Sequence, residues 1–424
     1  MTSGRSAGSI PDSDQRRPPD GPSPGSPGQG LNLALATLAF AINFWAWNLI
    51  APLSAMYSKA LSLSSTQTAL LVATPILVGA VGRIPVGALT DRFGGRRMFT
   101  AISLISIVPV LLVAVAGQLD SYVLLLVFGF FLGIAGTAFA VGIPFVNAWY
   151  EPSRRGFATG VFGIGMGGTA LSAFLTPRFV TWFGAIATHV IVAVLLGLTA
   201  LLVWTVMRDA PAWKPNTDPV VPKLKAAGRL AVTWQMAFLY AVTFGGFVAF
   251  STYLPTYLKT VYDFSATDAG TRTAGFAIAA VIARPIGGIL SDRLGPKIVV
   301  LTSLAGSAVM AVVVALQPAP ELAAGASFVA MAFLLGIGTG GVFAWVALRA
   351  PAARVGTVTG IVGAAGGLGG FVPPLLMGAT YNAAANNYTI GLGLLCLTCI
   401  VAFAYTALRI PDRSPSGAAP PPSN

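Results

Sequence analysis

Apolar residues run along this 424-residue chain in long stretches that short polar connections interrupt. Most stretches hold about 20 or more mainly apolar residues, the length that an α-helix needs to cross a bilayer. They are too long and too evenly apolar for the strands of a membrane β-barrel, which alternate over about 10 residues. The pattern predicts twelve transmembrane helices, near 31–56, 66–90, 98–118, 121–149, 156–180, 182–206, 233–258, 268–291, 298–316, 322–348, 355–379 and 386–408.

Composition supports a protein whose main solvent is lipid. Charged residues make up 9% of the chain and the mean hydropathy is +0.78, whereas soluble domains carry about 25% charged residues. The stretches contain no nucleophile–base set, metal cluster or phosphate loop, so we expect no enzyme, cofactor or metal site. We expect the two cysteines, Cys396 and Cys399, to pack within the twelfth stretch.

The net charge of +12 could suggest a nucleic-acid partner, but its distribution favours a membrane topology. Lys and Arg concentrate at the termini and on one set of connections, as the positive-inside rule describes. We therefore expect a multi-pass protein of the cytoplasmic (inner) membrane with both termini cytoplasmic. We expect lipid around it, no nucleic-acid partner and a monomeric state.

The chain repeats itself at an offset of about 200 residues. GRIPVGALTDRFGGRR begins at Gly82, and ARPIGGILSDRLGPK begins at Ala283. RRGFATGVFGIGMGG is followed by a similar ARVGTVTGIVGAAGGLGG, and FLGIAGTAF by a looser LLGIGTGGVF. The repeat predicts two pseudo-symmetric six-helix bundles with a substrate site between them near the midplane. The expected segments are a disordered tail (1–30), two bundles (31–206 and 233–408), a cytoplasmic linker (207–232) and a second disordered tail (409–424).

Arg83 and Arg284 occupy equivalent places in the two repeats, and the only Asp or Glu in either stretch is Asp268, at the far end of its stretch from Arg284. An intramembrane cation usually pairs with an acid or marks a substrate path. Because the stretches offer no acid near either arginine, a salt bridge within the chain is the weaker interpretation and an anionic substrate the stronger one. A guanidinium is planar and forked, which suits a flat oxyanion.

The segment from Gly87 to Arg97, repeated at Gly288–Lys297, resembles the loop 2–3 signature of the major facilitator superfamily. The resemblance implies that fold, an all-α membrane protein. We expect Gly87 to allow close helix contact and Asp91 to accept bonds from a helix start or an arginine. Asp91, Arg92, Asp292 and Arg293 are accordingly assigned a conformational role as a cytoplasmic latch.

A narrower resemblance is to the nitrate/nitrite porter family. Arg83 and Arg284 look like its paired arginines, and the glycine runs of the fifth and eleventh stretches resemble its two signatures. The runs are Gly160, Gly163, Gly165 and Gly167, and Gly360, Gly363, Gly366 and Gly367. The resemblance implies that the two arginines bind the anion. We expect Gly160, Gly163, Gly360 and Gly363 to allow the two helices to slide.

The same resemblance assigns the remaining site residues. It implies that Tyr240 donates a hydrogen bond near the anion and that Phe244 and Phe139 form walls, with Trp47 as a third aromatic. Gly167 stands where the first signature commonly has an Asn. This departure leaves the preference between nitrate and nitrite open.

The resulting functional hypothesis is a secondary transporter that exchanges nitrate and nitrite by alternating access. Proton-coupled nitrate symport is the alternative, and the confinement of acids to loops and tails makes it weaker. A carrier of another small monoanion is a further alternative. Multidrug efflux is disfavoured because two buried arginines repel cationic cargo, and a sensor would need an output module that the tails do not offer.

Overall fold

A computed structural model describes residues 27–151, 154–211, 213–216, 219–351 and 354–411. In these residues 11 helices are long and apolar enough to cross a bilayer, or 12 when one bent pair counts as a single span. The prediction of an all-α, twelve-helix membrane protein is confirmed. The predicted disordered tails lie largely outside the described residues.

The twelve spans follow the predicted stretches to within a few residues. The first half has α1 (Gln29–Ala60), α2a (Ser65–Val81) with α2b (Arg83–Phe93), α3 (Gly95–Gln118), α4 (Tyr122–Trp149), α5 (Phe157–Phe183) and α6 (Ala185–Val206). The second half has α7 (Ala231–Tyr262), α8 (Ala266–Leu294), α9 (Pro296–Ala315), α10 (Leu322–Arg349), α11 (Val355–Ala379) and α12 (Thr389–Arg409). A short helix, Val220–Gly228, lies in the predicted linker. The division into two bundles stays a prediction.

The second span is broken, and its bend places Arg83. α2a and α2b meet at an angle of 40° around Gly82. Pro85 in the first turn of α2b has no N–H to offer the carbonyl of Val81, which weakens the helix at this point. The equivalent α8 runs unbroken through Pro285. Arg83 is therefore the first residue of a half-helix, whereas Arg284 lies inside a continuous one.

The two copies of the superfamily motif end in matching turns. Gly94 follows α2b with φ 84° and Gly295 follows α8 with φ 88°, backbone conformations that only glycine adopts readily. We call this end of the molecule the motif end. The carboxylate of Asp209 accepts the N–H of Arg96 at 3.2 Å, where a negative charge also suits the N-terminus of α3.

The structure changes the expectations for the motif itself. The helix-start bond expected of Asp91 is made by Asp209, while the main-chain carbonyl of Asp91 accepts from Asn216 at 3.0 Å. An added Cβ on Gly87 meets no atom of the described chain within 4 Å, so the close contact expected there is absent. The side chains that we assigned to the latch, Asp91, Arg92, Asp292 and Arg293, are all exposed. Their conformational role stays a prediction.

At the far end, opposite the motif end, side chains join the two halves directly. The hydroxyls of Ser54 in α1 and Thr256 in α7 lie 2.8 Å apart. Arg178 in α5 donates from Nη2 to Thr271 Oγ1 in α8 at 2.9 Å. These bonds connect α1 with α7 and α5 with α8, so the halves are tied together at this end.

Candidate functional site

Arg83 lies between the halves with most of its donors unused. Its side chain begins at the α2 bend and the residue is 4% exposed. Nη1 donates to the main-chain carbonyl of Gly363 in α11 at 2.8 Å. Nε and Nη2 are buried and have no hydrogen-bond partner among the described residues. A buried donor without a partner is costly, and here two such donors belong to one cation.

Arg284 faces the same region from α8 and is more fully engaged. Nη2 donates to the hydroxyl of Tyr240 at 3.3 Å. Nη1 lies 2.6 Å from the thioether sulfur of Met166 in α5. α10 packs closely against this part of α8. Gly340 of α10 allows this approach, since an added Cβ there would collide with the carbonyl oxygen of Arg284.

Phe139 of α4 brings the two arginines into one site. Its ring centroid lies 4.9 Å from the guanidinium carbon of Arg83 and 5.9 Å from that of Arg284. The two carbons are therefore at most about 11 Å apart, the sum of the two distances. Phe244 lies 5.6 Å from Arg83, and Phe343 lies 5.3 Å from Arg284.

The aromatic wall continues behind these rings. Tyr240 and Phe244 share one face of α7 and stack at 4.8 Å with an interplanar angle of 5°. Gly366 of α11 makes room for both, since an added Cβ would collide with the Tyr240 ring and crowd that of Phe244. Phe139 and Phe244 face each other across the halves at 6.4 Å. Rings thus surround the buried Arg83 guanidinium and also contact that of Arg284, which is only partly buried.

Within the described part of the chain, no carboxylate balances the charge of this site. The ion pairs found in the described chain, Lys259–Asp263 and Arg272–Glu321, use neither central arginine. At an effective dielectric of 20, two cations about 11 Å apart repel by about 1.5 kcal/mol. A monovalent anion midway would gain about 6 kcal/mol from both before its own dehydration. The arrangement favours a small anion between the arginines.

Two further residues predicted for the site, Trp47 and Gly167, differ in their surroundings, and their role in binding stays a prediction. The Trp47 indole donates to the carbonyl of Pro75 at 3.0 Å and fits against Gly79 and Gly136. It supports the first half behind Phe44, with ring centroids 4.8 Å apart. Gly167 faces open space, with no described atom within 4 Å of an added Cβ.

The glycines of α5 and α11 differ in how closely they pack, which their spacing in the sequence does not show. Gly165 and Gly168 pack against the α1 backbone. Gly369 packs in the same way on the backbone of α7. An added Cβ on Gly160, Gly163 or Gly360 meets no described atom within 4 Å. Gly363, expected to allow sliding, also supplies the carbonyl that holds Arg83.

Three neighbours of the arginines were not predicted from the sequence: Phe343, Met166 and the carbonyl of Gly363. The repeat contained a signal for the first, because Phe139 and Phe343 are the last residues of FLGIAGTAF and LLGIGTGGVF. Met166 and Gly363 lie within the glycine runs, but their orientation depends on helix packing.

Comparison with known proteins agrees with this architecture. A family model described as Major Facilitator Superfamily matches residues 36–374 and 262–424. The "Probable nitrate/nitrite transporter NarK2" of Mycobacterium tuberculosis (strain ATCC 25618 / H37Rv) is 65% identical over 382 residues, covering 90% of this chain and 97% of that protein. The "Nitrite extrusion protein" of Bacillus subtilis (strain 168) is 34% identical, with 88% and 93% covered. The "Probable nitrate/nitrite antiporter NarK1" of Thermus thermophilus is 33% identical, with 89% of each covered.

Solved structures show the same fold at lower identity. A bacterial homolog to the human lysosomal transporter Spinster, in an inward-facing and occupied conformation, superposes with a TM-score of 0.67. It is 18% identical, and the match covers 91% of this chain and 97% of that one. This likeness concerns the fold alone.

Proposed function

This chain belongs to the nitrate/nitrite porter family of the major facilitator superfamily, and we propose that it moves nitrate and nitrite across the membrane by exchange. The observation that carries the proposal is Arg83. It is buried between the halves, with two donor nitrogens unpaired and no carboxylate bound to it among the described residues. A flat oxyanion offers two acceptors in the geometry of the guanidinium fork.

Exchange follows from the electrostatics of the site. Without an anion, the two guanidinium groups repel each other and resist closer approach of the halves. With a monovalent anion between them, attraction to both cations replaces that repulsion. Closure, and with it the change from one open side to the other, is then favoured only in the loaded carrier. A carrier that changes sides only when loaded moves one anion in for each anion out.

Counterflow in proteoliposomes tests this proposal. Vesicles loaded with nitrite and diluted into labelled nitrate should take up label rapidly, whereas vesicles without an internal anion should take up little. One-for-one exchange between monovalent anions moves no net charge, so an imposed membrane potential should not drive net uptake. Equal uptake with and without internal nitrite would overturn exchange. Uptake that a protonophore abolishes at zero membrane potential would instead support proton-coupled symport.

We also propose that the protein spans the cytoplasmic membrane with both termini on the cytoplasmic side. The proposal rests on the Lys and Arg distribution, which includes Arg92 in the last turn of α2b, Arg96 and Arg97 after it, and Lys297 after α8. A C-terminal reporter that is active only in the cytoplasm should be active on the full chain. Activity of a periplasm-specific reporter at the same position would reverse the topology.

A further inference from the structure

Close packing against α1 fixes the backbone of α5 beside the site. The helix tightens to a 3₁₀ turn at Ile164–Gly167. Gly165 and Gly168 on either side of Met166 both abut α1, at Phe40 and at the carbonyl of Ala41. Residues three apart share a helix face, so residue 166 must point away from α1. Met166 and Gly167 both lie off the face that packs on α1, and Met166, which has the side chain, reaches Arg284 in the second half.

The Met166 side chain covers one donor position of Arg284. The residue is 2% exposed, and its sulfur lies against Nη1. A thioether is a weak acceptor and has no hydrogen to donate. An anion at this position therefore meets a soft apolar group, and an anion oxygen cannot bind the Nη1 N–H that the sulfur covers.

In the second half, the position equivalent to Met166 has no side chain that could cover a donor of Arg83. An offset of 200 residues relates Met166 to Gly366, where the rings of Tyr240 and Phe244 occupy the space that a side chain would need. The repeated backbone thus builds an asymmetric site. Arg83 has unpaired donors and a carbonyl partner, whereas Arg284 has a hydroxyl and a thioether.

We propose that Met166 is a specificity-determining residue that lowers the preference for nitrate relative to nitrite. Nitrite has two oxygens, which the free donors of Arg83 and the region of Tyr240 can serve. Nitrate carries a third oxygen, for which the thioether side offers no N–H donor. This inference rests on the proposed function and concerns which of its two anions the site favours.

Paired substitutions separate the chemistry of residue 166 from its volume. Met166→Gln keeps the length of the side chain and adds an amide that can accept from Arg284 and donate to an oxyanion. Met166→Leu keeps the apolar volume without sulfur or donor. Gly167→Ala, where the added methyl meets open space, tests the neighbouring position. Met331→Leu, a fully buried methionine in α10, is the matched control for loss of a thioether elsewhere.

The readout is the ratio of half-saturating nitrite to half-saturating nitrate in counterflow with purified full-length protein. We expect Met166→Gln to raise this ratio, a shift towards nitrate, by about tenfold, because one hydrogen bond to a charged group is gained. Met166→Leu, Gly167→Ala and Met331→Leu should stay within about twofold of the parent. Met166→Asn, a shorter amide, supplies the same test if the glutamine variant fails to fold.

Two failures remain distinguishable. If the parent protein exchanges both anions but the amide variants keep its ratio, Met166 does not determine specificity and the proposed function stands. If the parent exchanges neither nitrate nor nitrite, both the proposed function and this inference are wrong. A shift of equal size in Met166→Leu would assign the effect to shape rather than to the missing donor.

Discussion

At the scale of single residues, the site depends on the geometry of two guanidinium groups as well as on their charge. Arg83 keeps Nε and Nη2 unpaired while Nη1 is held by Gly363. This anchoring leaves the Nε and Nη2 side of the guanidinium without a hydrogen-bond partner among the described residues. The guanidinium is thus oriented before any anion arrives, which lowers the ordering cost of binding.

Replacing Arg83 by lysine tests this geometry. Arg83→Lys keeps the positive charge but loses the planar fork. We expect the half-saturating nitrate concentration in counterflow to rise at least about tenfold, since a charge-assisted hydrogen bond is lost. Insertion and the apparent melting temperature in detergent should stay close to those of the parent. Unchanged nitrate affinity would contradict bidentate recognition.

We expect the Tyr240 hydroxyl to contribute less to nitrate affinity than Arg83 does. Another tyrosine, outside the site, serves as its control. Tyr240→Phe removes the oxygen 3.3 Å from Arg284 but keeps the ring stacked on Phe244. We expect nitrate affinity in counterflow to fall by about threefold to tenfold. Tyr262→Phe removes a hydroxyl that donates to Pro318 at 2.9 Å, outside this site, and should leave affinity unchanged. Equal effects of the two variants would show that the Tyr240 hydroxyl has no specific role.

The sequence made some of these residues predictable and hid others. Arg83 and Arg284 are conspicuous because a charge inside an apolar stretch is costly and needs a reason. Met166 is not, since methionine is an ordinary apolar residue until its direction is known. That direction follows from Gly165 and Gly168 packing on α1, a tertiary fact that spacing alone does not provide.

At the scale of elements, two glycines of α5 differ: one packs tightly on a neighbouring helix, and the other has open space around it. Gly168 in α5 touches the α1 backbone at Ala41, which cannot move aside like a side chain. Gly160, earlier in the same span, has open space around an added Cβ. Both positions lie in the motif RRGFATGVFGIGMGG, and of the two the sequence predicted a role, in sliding, only for Gly160. The structure assigns the packing to Gly168, while a role in sliding for Gly160 stays a prediction.

A pair of alanine substitutions distinguishes these roles. Gly168→Ala should cost about 1–3 kcal/mol through overpacking and lower the apparent melting temperature in detergent. Gly160→Ala should leave the melting temperature unchanged or slightly raised, because alanine favours helix. If Gly160 serves sliding, its variant should show slower exchange at normal stability. Equal melting temperatures for both variants would contradict the packing assignment.

At the scale of the whole molecule, the far end holds the halves together through Ser54–Thr256 and Arg178–Thr271. Alternating access requires these bonds to break when that end opens. The two-fold repeat predicted that the halves would face each other. It could not predict these contacts, because Ser54 and Thr256 are ordinary residues of their helices until the halves are placed.

A reversible cross-link at this end tests the rocking motion. In a chain with Cys396 and Cys399 replaced by alanine, Ser54→Cys with Thr256→Cys places two thiols where the hydroxyls lie 2.8 Å apart. Side chains this close are compatible with a disulfide. We expect oxidation to stop nitrate–nitrite exchange in proteoliposomes and reduction to restore it, with each single cysteine unaffected. Full exchange by the oxidised double variant would rule out opening at this end.

The bend in α2 has one more consequence. Arg83 follows the 40° break immediately, so a change in that angle swings the guanidinium itself. The affinity for the anion and the tilt of α2b are then coupled. A substitution that stiffens this joint should therefore alter anion affinity and transport rate together.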